Sequence, residues 1–159
     1  SASGDAGLSG SVGGLIAAGG SDCGLTVTLD TSTAGAKSGS VNLGYTSDGA
    51  GTSGLAAIGA GGETVAVTGA VYRLAEAQVD NPLAFNFGSV HEGSVAQQAV
   101  SITNAATDDG FSEGLNASFG AASDARILNN AGTVDVLGAG LTDSSSMVVS
   151  IDTSAAGVV

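Results

Sequence analysis

With 159 residues, the chain has room for one large sandwich domain or parts of two smaller ones. Fifteen Asp and Glu oppose only Lys37, Arg73 and Arg126, a net charge of −12 that removes the basic footprint nucleic acid or anionic lipid requires. The 43% hydrophobic content is rich in Ala and Val, with 4% aromatics and no Trp. Such side chains make a thin core and place the burden of stability on many paired strands.

In chain order, Leu25, Val27 and Leu29 alternate with Thr26 and Thr28, which predicts a strand with one aliphatic and one hydroxyl face. Ser47-Asp48-Gly49 is a turn signal after a second alternating run, Val41, Leu43 and Tyr45. The glycine-rich pieces Gly49 to Gly54 and Gly59 to Gly62 read as flexible turns, because no Walker Lys-Ser/Thr and no helix follows them to hold a phosphate. A third strand is predicted through Val65, Val67 and Val71, and Leu74 to Val79 reads as a short turn of helix. Further strands are predicted at Leu83-Phe85-Phe87, Val100-Ile102, Leu115-Ala117-Phe119, Val134-Val136 and Met147-Val149-Ile151. Asp108-Asp109-Gly110 supplies another turn. The 27 Gly follow no three-residue period, which excludes collagen, and 11% charged residues is too few for a charge-expanded disordered chain.

A repeat organises these elements. Residues 25–35 match residues 147–157, with Asp30 and Asp152 equivalent at an offset of 152 − 30 = 122. Upstream, Gly10-Ser11-Val12 falls on Gly132-Thr133-Val134, and Leu15 on Leu137. The period is that of one immunoglobulin-like domain, about 100 residues. The phase places a junction near Tyr72-Arg73-Leu74, so that residues 1–73 form the later part of one repeat and residues 74–159 the earlier part of the next, or the two interleave into one sandwich. The first residues carry no basic cluster followed by an apolar block, and no stretch approaches the roughly 20 apolar residues of a membrane span, so membrane insertion is not expected.

The run Pro82-Leu83-Ala84-Phe85-Asn86-Phe87-Gly88-Ser89-Val90-His91-Glu92-Gly93, followed by Val100-Ser101-Ile102-Thr103-Asn104, resembles the opening of Hydin-like (ASH-type) immunoglobulin domains. Asp30 to Gly39, Val41 to Tyr45 and Thr64 to Gly69 are similar to the later strands of the same module. Nearly the whole chain resembles the tandem domains of bacterial choice-of-anchor D proteins. That resemblance implies antiparallel, immunoglobulin-like β-sandwich repeats, export, and a role at the cell surface or in the extracellular matrix.

Among chemistry-bearing residues, Asp108, Asp109 and Glu113 are the best oxygen donors for calcium, the one cofactor considered, although they follow neither EF-hand nor nonapeptide spacing. The plain alternative is a hairpin turn with a negative rim. His91, the sole histidine, reads as a turn residue of the motif rather than a catalytic base. Cys23, the sole cysteine, allows no internal disulfide, and Asp22 beside it works against a reactive thiolate. The sequon Asn116-Ala117-Ser118 reads as an ordinary stretch of strand. No catalytic residue is expected. The chain is therefore read as a non-catalytic structural module of an exported repeat protein, self-associating or contacting neighbouring repeats, with fibre formation by β-strand addition as its sharper form. The alternative is an adhesion module binding glycan or protein through its loops.

Overall fold

The computed structural model describes residues 1–81 and 84–158. It is all-β, with antiparallel sheets and no helix among the described residues. The chain divides into two compact units, Ser1–Val71 and Tyr72–Val159. The sequence expectation set the division at residues 73 and 74.

The first unit holds β1 (Ala2–Gly4), β2 (Ala6–Gly10), β3 (Leu25–Leu29), β4 (Gly35–Ser47) and β5 (Ile58–Val71). Its dominant feature is the β4–β5 hairpin, paired from Gly35 opposite Val71 to Ser47 opposite Ile58. β-branched residues at Thr64, Val65, Val67, Thr68 and Val71 favour the extended chain. The connection is built on Asp48, whose carboxylate accepts the Ala50 amide at 2.9 Å, and on the Gly49 carbonyl, which accepts Thr52 and Gly54. Gly59 to Gly62, expected as a flexible turn, instead belong to β5: Gly61 lies opposite Tyr45 and Gly59 opposite Thr46, with Ala60 forming a bulge. Cross-strand pairing to β4 commits their backbone groups despite the weak intrinsic preference of glycine.

β1 extends this sheet on the other side of β4, and β2 pairs separately with β3. The sheets meet at specific points. Asp5 accepts the Ser38 amide at 2.9 Å and lies 3.6 Å from Nζ of the buried Lys37, which also donates to Thr33 Oγ1 at 2.9 Å. Leu29 packs so closely on Gly69 that a Cβ there would lie 2.6 Å from its Cδ2. Val41 is the fully buried hydrophobic residue of the unit.

The second unit holds β6 (Ala77–Val79), β7 (Gln97–Ala99), β8 (Ile102–Asn104), β9 (Leu115–Ser118), β10 (Ile127–Asn129), β11 (Thr133–Leu137), β12 (Thr142–Asp143) and β13 (Val148–Ile151). Short sheets β6–β8–β12, β7–β13–β10 and β9–β11 gather around Ile102, Val134 and Met147, which pack with Leu115, Ala117, Phe119 and Leu137.

Several sequence expectations are corrected here. The Leu74 to Val79 segment is not helical: Ala77–Val79 pairs with Asn104–Ile102, and six residues are too few for a helix to stand against that ladder. Val100 and Ile102 do not share a strand: Val100 lies just past β7, and β8, which begins at Ile102, belongs to a different sheet. Val136 leaves the alternation of β11 at an irregularity between Val134 and Leu137 and adopts φ of 49°. Phe85 and Phe87 are half-buried but lie outside any strand, while Pro82 and Leu83 of the same motif lie outside the described residues.

Candidate functional site

The loop bearing Asp108, Asp109 and Glu113 is held by an arginine. Arg73 Nη1 donates to Asp109 Oδ1 at 2.7 Å and to Ser112 Oγ at 3.0 Å, while the Arg73 amide donates to the Phe111 carbonyl and the Glu113 amide to the Arg73 carbonyl. Asp109 also accepts the Phe111 amide at 3.0 Å, and Gly110 takes the positive φ of 82° that the turn signal demands. The hydrogen bond from Arg73 holds the Asp109 carboxyl below its ordinary pKa, assisted by the Phe111 amide, and raises the Arg73 guanidinium in turn. The carboxylate that would head a calcium site is thus neutralised by a guanidinium. Among the described residues, no three His, Cys, Asp or Glu side chains converge as metal ligands.

The residue that organises this region is Asn104, whose sequence context marks only the end of a strand. It is fully buried. Its Nδ2 donates to the carbonyls of Glu113 (3.1 Å) and Leu137 (3.0 Å), and its Oδ1 accepts the amides of Glu76 (3.0 Å) and Ala106 (3.2 Å). One amide side chain therefore ties together four backbone positions at full capacity. The only advance signal was the position of an Asn straight after the alternating Ile102.

His91 and Cys23 are exposed. His91 lines an open groove of about 970 Å³ together with Phe85, Phe87, Arg126, Ile127, Val149 and Ile151. Asn116 is occupied in bonding: its Oδ1 accepts the Val136 amide at 2.6 Å.

The remaining feature is a strand edge. Among the described residues β5 pairs with β4 on one side only, and it runs 14 residues, about 46 Å at strand rise. Glu63 is its sole charge, and it has no Lys and no Pro. Its bulge sits near one end, which leaves Glu63 to Val71 in regular register. Natural sheets usually protect such an edge with charge, proline or cover.

These features define an all-β, antiparallel chain of two units whose acidic loop is tied down internally and whose longest strand lies at the edge of its own sheet among the described residues. None of the family models, curated proteins or solved structures compared with the chain matches it.

Proposed function

We propose that the chain is a non-catalytic structural module of an exported bacterial surface or matrix protein, built from immunoglobulin-like repeats and joined to neighbours by β-strand addition. The observation that carries this reading is the β5 edge: a long, nearly uncharged row of backbone donors and acceptors that pairs with no strand on one side among the described residues. The internal repeat and the resemblance to Hydin-like and choice-of-anchor D domains support it. Main-chain bonds would supply the affinity and the small side chains of Glu63 to Val71 would let a second strand approach closely.

The test places lysines on the exposed side chains Ala66 and Thr68. Charge on an edge opposes pairing without removing a buried contact. The unmodified protein is expected to sediment as concentration-dependent multimers, and Ala66→Lys/Thr68→Lys to shift the distribution toward monomer with an unchanged circular dichroism spectrum. A monomer at every concentration would remove strand addition from the reading. Labelling of intact cells with antibody tests the surface location independently.

A further inference from the structure

Two aspartates of the chain are followed by glycine, Asp48 before Gly49 and Asp109 before Gly110. In such a pair the glycine nitrogen can attack the aspartate side chain, because no Cβ on the glycine shields it. The fold requires both glycines. A Cβ on Gly49 would lie 2.8 Å from the Leu55 carbonyl oxygen, and Gly110 takes φ of 82°. Among the described residues neither glycine amide donates to a backbone carbonyl.

The two carboxylates differ in what holds them. Both accept the amide two residues on, from Ala50 at 2.9 Å and from Phe111 at 3.0 Å. Asp109 also meets a cation, since Arg73 Nη1 donates to its Oδ1 at 2.7 Å. The chain has three Lys and Arg, and Lys37 pairs with Asp5, Arg73 with Asp109 and Arg126 with Asp124. None is left for Asp48, which is exposed where the chain leaves β4.

We propose that Asp48-Gly49 is a site of spontaneous conversion to isoaspartate, and that Arg73 protects Asp109-Gly110 from the same reaction. The Gly49 nitrogen bonds to Asp48 Cγ, the Cγ–O bond of the protonated carboxyl breaks, and its hydroxyl leaves with the amide proton as water. Water then reopens the five-membered imide. Cleavage between the nitrogen and the former main-chain carbonyl carbon leaves the chain running through the side-chain carbonyl, with the mass unchanged. The reacting carboxyl is the neutral form, and a guanidinium at 2.7 Å favours the anion. Isoaspartate adds one carbon to the main chain at position 48 and displaces the Gly49 carbonyl, which accepts Thr52 at 3.0 Å and Gly54 at 2.7 Å. The β4–β5 connection loses these bonds while the ladder from Gly35 to Ser47 keeps its own. This ageing reaction is independent of strand addition.

The test incubates the full chain at neutral pH, folded and in parallel unfolded in urea, and reads isoaspartate at each site by peptide mapping with electron-transfer fragmentation. In the folded chain Asp48 is expected to convert about tenfold faster than Asp109, equivalent to about 1.4 kcal/mol. In urea, where Arg73 no longer holds Asp109, the two rates should be similar. Arg73→Gln with an unchanged circular dichroism spectrum should raise Asp109 to the rate of Asp48 and leave Asp48 as it was. The comparison of folded and urea-unfolded chain needs no variant, so it stands even where Arg73→Gln does not fold. Conversion of Asp109 as fast as Asp48 in the folded chain would overturn the proposal, as would a difference that persists in urea or in folded Arg73→Gln.

Discussion

The two units solve the same problem of a thin core by different means. In Ser1–Val71 the long β4–β5 ladder carries the structure, and Val41 is its one well-buried hydrophobic side chain. In Tyr72–Val159 the strands are short, but Ala96, Ile102, Ala106, Val134 and Met147 are buried and Asn104 bonds at four points among them. A chain poor in large side chains can stand on backbone pairing or on a small, fully satisfied interior. The second route also accumulates carboxylate hydrogen bonds.

Acid should break the comparison most. Asp30 is the carboxylate of the first unit with a clearly lowered pKa, through the Ser32 amide. Asp80, Asp109, Asp124, Asp143 and Asp152 are lowered in the second. Asp124, bonded first by the Arg126 side chain and then by its amide, falls to about 2 from 3.8. A depressed folded pKa contributes stability that is complete above the unfolded value and is lost as pH falls through the folded one. Between pH 5 and 2 the second unit should therefore lose more stability than the first. Relief of the −12 charge acts on the whole chain, so the difference between units is the readout, followed by amide resonances of β4–β5 and of β8–β9.

Asn104→Ala comes next, with an expected loss of about 3 to 5 kcal/mol in hydrogen-exchange protection of β8, β9 and β11, because two carbonyls and two amides lose their partner. Asn104→Asp should not rescue it. The replaced amino group faces two carbonyl oxygens, and a carboxylate there has nothing to donate. In the first unit the corresponding test is Val41→Ala, worth about 2 kcal/mol from two lost methyl groups and the cavity left behind. A larger loss at Val41 than at Asn104 would reverse the distinction between the units.

How much of this was legible follows the same line. Strict alternation at Leu25–Leu29 and Val41–Tyr45 announces strands, since period two has one geometric meaning there. Asp48-Gly49 and Asp109-Gly110 mark their turns for equally local reasons. β1, β2 and Gly59–Gly62 are not readable, because their strand state comes from a partner strand distant in sequence rather than from their own small side chains. The acidic residues Asp108, Asp109 and Glu113 could be listed but not interpreted, as Arg73, which engages Asp109, lies 36 residues upstream.

The smallest expected effect tests a flaw in the better-packed unit. Val136 holds φ of 49°, a conformation that a β-branched side chain adopts only under constraint, and its amide is fixed there by Asn116 at 2.6 Å. The side chain is exposed, so removing it forfeits little burial. Val136→Gly relieves about 1 to 2 kcal/mol of steric cost and gives back about 0.5 to 1 kcal/mol through the freer unfolded chain. A net stabilisation of about 1 kcal/mol is expected in thermal unfolding. Ala131, at φ of 52°, supplies the control: without a β-branch it stores less strain, so Ala131→Gly should gain less. If both substitutions stabilised equally, the left-handed backbone itself, and not the valine branch, would be the source of the strain.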